Sequence, residues 1–368
     1  MIKYEVKKLF FKQWGLVALF IVFIAEIFTL LSAYPKIGFE DSTTSTYYNE
    51  YADLFNGSLN SEKEQLILQE QERIINAQNI EYSIEEKLRK NKYNNRDEYI
   101  SEYRSIREIT ERSSAFDRYF EKYNYVKEQP DKRCIISSNF DGLCRDFPDV
   151  AFLIFIIFVT SNLFLTEENS NMVTLIKSYG AGRKTFCDKI FSLCIVIFST
   201  TFIICGIEFL VMAFRCDLAE LKYPIQSLTY FNNCPFDISI FQGFIIVSIL
   251  RLFGALFISS LVVLLSVITH KALPVLFIPS SICLVQQFIF KTATASYYLP
   301  TGLLRASGYL RGDAYETINQ GSMNEETSKV FSEIPVLCLI LIIVFVISFA
   351  VATFLTALKY YSGRKKDA

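Results

Sequence analysis

Six apolar runs limit this chain more than any other feature: residues 15–33, 150–165, 190–214, 241–268, 273–290 and 334–358. At 1.5 Å of rise per residue, roughly 20 apolar residues cross the hydrocarbon of a bilayer, and these runs are of about that length. The expected fold is therefore an all-α polytopic membrane protein, with six transmembrane helices and a large extracellular helical insert between helices 1 and 2. Composition agrees, since 51% of the residues are hydrophobic and 34 are Phe. His270 is the single histidine, which argues against a His-based metal centre or catalytic triad, and the nine cysteines show no CxxC spacing of a zinc site. Neither a metal site nor a nucleophile with a matching base is expected.

Residues 1–14 alternate Lys3, Lys7, Lys8 and Lys12 with Ile2, Val6, Leu9, Phe10 and Trp14 at helical spacing. That is the pattern of a cytoplasmic amphipathic interfacial helix with the only Trp at headgroup level. Residues 15–33 follow as transmembrane helix 1. A secretory signal peptide competes for this stretch, because Leu31-Ser32-Ala33 loosely fits a cleavage site, but the apolar run exceeds the usual ~7–15 residues. Lys and Arg then set orientation. Lys3 to Lys12, then Lys177, Arg183, Lys184 and Lys189, then Lys271, then Lys359, Arg364, Lys365 and Lys366 of the basic tail 359–368 fall on one side if six spans alternate. By the positive-inside rule that side is the cytoplasm, which places a multi-pass chain in the plasma membrane with both termini inside and the insert outside.

The insert, residues 34–149, is where hydrophobicity collapses. Between Gly57 and Pro130 there is no Gly or Pro, so long helices are expected, with Arg89 to Asn95 as the one plausible turn. Tyr99, Tyr103, Ile106, Ile109, Phe116, Phe120 and Tyr123 keep a spacing that suits the seam of a helical hairpin, each arm on the order of 45 Å long. A substrate-handling domain and a solvated spacer both fit that pattern. Residues 150–358 carry helices 2–6. Within them, residues 291–333 are too apolar for a free loop and are broken by Pro300, Gly302 and Gly308, which predicts a re-entrant or interfacial hairpin buried by protein. Four cysteines fall on the outer side, and their even number suits local disulfides, Cys134 with Cys144 and Cys216 with Cys234.

Between the second and third runs lies a polar stretch, 166–185, which reads as a short amphipathic helix at the membrane face. Glu167 and Glu168 stand in its first turn, Met172, Val173, Leu175, Ile176 and Tyr179 share one side, and glycines stop it before Arg183 and Lys184. Its Gly180 to Thr185 end is not a phosphate-binding loop, because Lys177 occupies the first Gly position and Arg183 the Lys position. Inside the spans stand Glu26, Glu208 and Arg251, all roughly 9–15 Å below the outer boundary at 1.5 Å per residue. Burying ions there is costly. Either Arg251 bridges one or both glutamates to fix helix packing, or the three line a substrate path.

Taken together, the interfacial N-terminal helix, the six spans, the acid-led cytoplasmic helix ending in Gly and Arg/Lys, and the Pro-containing outer hairpin resemble the ABC-2 type permeases. These are the membrane subunits of one class of ATP-driven exporters. The resemblance implies that Glu167, Glu168, Leu175, Gly182, Arg183, Lys184 and Lys189, with Met172 and Ile176 on the apolar face, couple the chain to an ATP-binding cassette subunit. It also implies a dimer with a second permease subunit. ATP and Mg would be held by the partner and no cofactor or enzymatic activity would belong to this chain. The implied cargo is a hydrophobic or amphipathic substrate such as an antimicrobial peptide or lipid, with membrane lipids as neighbours and no nucleic acid. The large insert departs from the short loop of many family members. An alternative of another class is a non-transporting receptor or anchor whose helical ectodomain binds a ligand.

Overall fold

The computed structural model describes residues 2–12, 14–34, 42–90, 96–144, 150–169, 178, 182–289, 294–319 and 325–362. Among the described residues the fold is all-α apart from two short antiparallel strand pairs. Helix α1 (Ile2–Lys7) runs on as a π-helical turn, Lys8–Lys12, and the chain reverses at Trp14, whose φ is 61°. Then come α2 (Gly15–Ala33), α3 (Ser42–Phe55), α4 (Ser61–Arg89), α5 (Arg96–Lys127), α6 (Val150–Asn169), α7 (Gly182–Arg215), α8 (Ile240–Thr269), α9 (Ala272–Ile289) and α10 (Val336–Ser362). One pair joins β1 (Gly57–Ser58) to β2 (Cys134–Ile135) across the intervening α4 and α5, the other β3 (Ala314–Asn319) to β4 (Glu325–Phe331).

Four helices, α2, α7, α8 and α10, are long and apolar enough to cross a membrane. The described apolar stretches of α6 and α9, Phe152–Leu165 and Ala272–Cys283, are shorter. Four such helices make this a multi-pass membrane protein. Exposed Phe20, Phe28, Phe198, Phe202 and Leu337 lie on the outer faces of these helices.

Two apolar cores divide the bundle lengthwise. One gathers Leu9, Leu163, Phe164, Phe186, Val262, Val275, Ala357 and Tyr361 and so marks the end that bears both termini. The other gathers Leu30, Tyr34, Phe140, Met212, Ile240, Phe244, Ile342 and Val346 at the end that bears the insert. Helices α2 and α7 run from the first core to the second, and α8 and α10 run back. Helix α8 opens on a capping box between Ser239 and Gln242 and stops at His270, which takes a φ of 51° and lies stacked on Tyr360.

In the insert, α4 starts where Asn60 Oδ1 accepts from Lys63 N at 2.8 Å, with Glu62 and Glu64 in its first turn and Lys87 and Arg89 in its last, all suited to the helix dipole. Its buried residues Ile67, Ile74, Ala77 and Ile84 repeat at seven and three, a coiled-coil seam against α5. The predicted seam on α5 is buried at Ile106, Phe116 and Tyr123, and Tyr119, which the pattern left out, lies at the centre of an aromatic cluster with Tyr48, Tyr51 and Phe55. That cluster exists because a third helix, α3, packs on the hairpin. The sequence pattern predicts two arms, and α3 adds the third helix.

Residues 294–310, expected as a hairpin, form 3-10 turns Thr294–Tyr298 and Pro300–Leu310, every residue of 301–310 being buried. The segment lies along α8 with Leu310 beside Gly243 and Leu304 in the notch at Gly254. A Cβ at Gly254 would come within 2.7 Å of Leu304 Cδ2, so only glycine admits this approach.

Candidate functional site

Helix α7 gathers most of the chemistry. It is 34 residues long without a break, about 51 Å at 1.5 Å per residue, and touches polar clusters at both ends and in between. Near its start Lys189 is fully buried: Nζ donates to Leu163 O at 3.0 Å and faces the rings of Phe164 and Tyr361 at 5.6 and 5.8 Å. A carbonyl and two ring faces hold the cation where lipid or apolar side chains would otherwise stand.

Seven residues before the end of α7 lies Glu208, fully buried. Arg251 Nη1 of α8 donates to Glu208 Oε2 at 3.0 Å, and Tyr34 Oη donates to Glu208 Oε1 at 3.2 Å. Glu26 of α2 is also buried and lies within electrostatic reach of Arg251. Thus the three ionisable residues singled out inside the spans come together, with the bridge running from Arg251 to Glu208. Arg251 Nε and Nη2 have no hydrogen-bond partner among the described residues. A second buried arginine follows nearby in space. Leu304 sits against Gly254, one turn from Arg251 on α8, and its neighbour Arg305 donates from Nη1 to Ser296 Oγ at 2.9 Å with its guanidinium 4.8 Å from the Tyr297 ring centre.

Beyond α7, Glu220 sits in a 3-10 turn, Leu218–Lys222, and is 1% exposed. Its Oε1 accepts from Asn56 Nδ2 (2.7 Å), Ser137 N (2.7 Å) and Ser137 Oγ (2.6 Å), and its Oε2 from Ser138 N (3.0 Å). Asn56 and Ser137 belong to the insert, and Tyr119 of α5 donates to Asn56 Oδ1. Two further bonds seal this junction: Tyr125 Oη to Gln226 O at 2.7 Å, and Cys134 N to Ser227 Oγ at 2.8 Å. Charge-assisted bonds of this number hold the insert against the α7–α8 connection as one packed unit.

The coupling stretch differs from expectation. Glu167 and Glu168 stand in the last turn of α6, not the first turn of a new helix, because no Gly or Pro follows Leu165 to stop α6 before Asn169. Gly182, Arg183 and Lys184 open α7; residues 170–177 and 179–181 before them lie outside the described residues. Met172, Leu175 and Ile176 lie outside the described residues. The disulfide expectation is corrected as well. Cys134, Cys216 and Cys234 are free thiols, so Cys216 and Cys234 are not joined and Cys134 is unbridged; the Cys144 side chain lies outside the described residues. Cys216 Sγ donates to Asn139 O at 3.2 Å and Cys234 Sγ to Phe236 O at 3.8 Å. Burial, then the Glu220 carboxylate, pushes the Cys216 thiol up to about 12, and burial also raises Cys134 and Cys234. Thiols kept protonated are poor partners for disulfide chemistry.

Among the described residues no cluster of His, Cys, Asp or Glu could hold a metal ion. Three functional candidates went unread in the sequence. Arg305 lies within the stretch expected as a re-entrant or interfacial hairpin, Tyr34 is the first residue past the first span, and Glu220 carries no motif. Each is identified by its partners, and partners distant in sequence leave no local signal. No family model matches the chain, and neither a curated protein nor a solved structure matches it.

Proposed function

We propose that this chain is the permease subunit of an ABC transporter of the ABC-2 type, exporting a hydrophobic or amphipathic substrate such as an antimicrobial peptide or lipid. The observation that carries the reading is the unbroken α7, which joins the connection at residues 166–185 to the Glu208–Arg251 bridge and, through Glu220, to the insert. In this reading six spans alternate, the termini are cytoplasmic and the insert is extracellular, which the alternating helix directions and the distribution of Lys and Arg support. ATP and Mg belong to a separate ATPase subunit, and the chain pairs with itself or a related permease. Closure of the nucleotide-bound partner pushes on Glu167, Glu168, Gly182, Arg183 and Lys184, and the rigid α7 carries the displacement to the charged cluster.

The test is co-purification of the tagged full chain from its native membrane. An ATP-hydrolysing subunit should come down with wild type and be lost with Glu168→Lys/Leu175→Asp. Equal recovery with both chains, or wild type bringing down no ATPase, sinks the reading. The second outcome, combined with ligand capture by the insert, would favour the receptor or anchor.

A further inference from the structure

At the junction of the insert with the α7–α8 connection lies a cavity of about 420 Å³, within the size range of sites that take drug-sized ligands. Its floor is apolar: Val126, Ile136 and Phe140 are each 5% exposed or less. Phe140 belongs to the same core as Leu30 and Tyr34, so the floor meets the insert end of α2, where the apolar span stops. Tyr48, Tyr125 and Tyr230 form the walls, and Arg118, Lys122 and Glu121 supply two cations against one carboxylate. Lys122 Nζ is held in place by Tyr48 Oη (2.8 Å), Ile136 O (2.6 Å) and Ser137 O (3.1 Å). Arg118, one turn earlier on α5, is exposed at the rim. Burial pushes Tyr125 up to about 12, so its hydroxyl stays a neutral donor, given to Gln226 O.

An apolar floor next to the insert end of α2, tyrosine walls and a net positive rim together describe one kind of ligand. We infer that this cavity binds an anionic amphiphile, its chain on Phe140 and Ile136 and its phosphate or carboxylate head toward Arg118 and Lys122. As a substrate or regulatory site this rests on the exporter reading; as a binding site it stands apart from any ATPase. Because Glu220 and the Tyr125 bond join the two walls, occupancy is coupled to the docking of the insert on α7.

The experiment uses the full chain alone in phosphatidylcholine nanodiscs, carrying Trp14→Phe and Tyr230→Trp so that the only indole lines the cavity. Octyl phosphate should shift the indole emission saturably, and octyltrimethylammonium, with the same tail and the opposite head, should bind at least about tenfold more weakly, as expected for one lost charge-assisted contact. Arg118→Glu, an exposed position, should erase that preference, and Thr229→Phe at the mouth should weaken both. Competition by phosphatidylglycerol placed in the disc identifies a leaflet lipid as the occupant, and its absence a soluble amphiphile. Equal response to both heads, or a response indifferent to Arg118→Glu and Thr229→Phe in chains that keep the wild-type melting profile, overturns the inference. Binding with no co-purifying ATPase would instead sink the exporter reading and leave the site.

Discussion

Removing Arg251 alone should cost more than removing it together with Glu208, and the difference can be worked from their contact. At 3.0 Å the pair attracts by about 5.5 kcal/mol at an effective dielectric of about 20. Desolvating two ions costs several kcal/mol each, so the intact pair nets little against an apolar pair of equal volume. A single deletion is different, since it leaves one ion buried at a cost of ~3–5 kcal/mol. Arg251→Met leaves Glu208 with the Tyr34 hydroxyl at 3.2 Å and should fall at the lower end. Glu208→Leu strands a guanidinium whose Nε and Nη2 already lack partners among the described residues, and should fall at the upper end. The double variant Arg251→Met/Glu208→Leu should return to within about 2 kcal/mol of wild type, a coupling energy of roughly 6 kcal/mol or more against single effects of about 3 and about 5. Reversible unfolding in mixed micelles, followed by circular dichroism, reads all four corners of the cycle. Additive single effects, or an Arg251→Met chain as stable as wild type, would refute the bridge. Export by the stable double variant then separates packing from gating, because a cluster that acts in transport must lose function where the fold is restored.

Gly254→Ala should destabilise by about 1–3 kcal/mol, because its methyl would meet Leu304 at 2.7 Å, whereas Gly206→Ala, with nothing within 4 Å, should be neutral or stabilise by up to about 1 kcal/mol; paired melting curves of equal midpoint would count against the 301–310 packing. Glu220→Ala strips four hydrogen bonds and should cost about 3 kcal/mol, with faster amide exchange confined to residues 134–140 and 217–231 and no change at the α4–α5 tip around Ile84 and Ile106. Uniform acceleration would mean that the insert is not clamped there. Burial raises Tyr48, Tyr119 and Tyr125 above the ordinary value of 10.0, Tyr125 to about 12. The unfolded chain therefore loses these protons first, so the stability they confer is complete below about pH 10 and declines as pH rises toward about 12. Tyrosinate absorbance rising before the insert unfolds would contradict that order.

Apolar runs were legible because their physics is local. Residues 15–33 read as one helix and α2 covers them, and the 334–358 run begins its helix at Val336 because Pro335 can supply a carbonyl but no amide. Helix α4 ends at Arg89, where the expected turn begins, and α5 starts at Arg96, while residues 91–95 lie outside the described residues. The π-helical turn at Lys8–Lys12, the third insert helix and the β3–β4 hairpin were not legible. Ser42 to Phe55 carries Thr, Asn and Tyr, weak helix formers, and is held by its tyrosines on α5 rather than by propensity. Of the candidate site, Glu26, Glu208 and Arg251 announced themselves as charges in apolar surroundings. Arg305 and Glu220 lie in mixed sequence, and what sets them apart is burial, which only the folded chain displays.

The Gly254 notch has a bearing on how the chain is made. Helices α7 and α8 are consecutive, so the Glu208–Arg251 bridge can close within a hairpin as soon as both have left the ribosome. The notch is filled by Leu304 and the face beside it by Val346, segments that follow much later. For the interval in between, α8 is a half-dressed helix. Its ion is neutralised early and its small-residue groove stays open to lipid, so a ribosome paused after α9 holds a chain that is electrically settled but sterically unfinished.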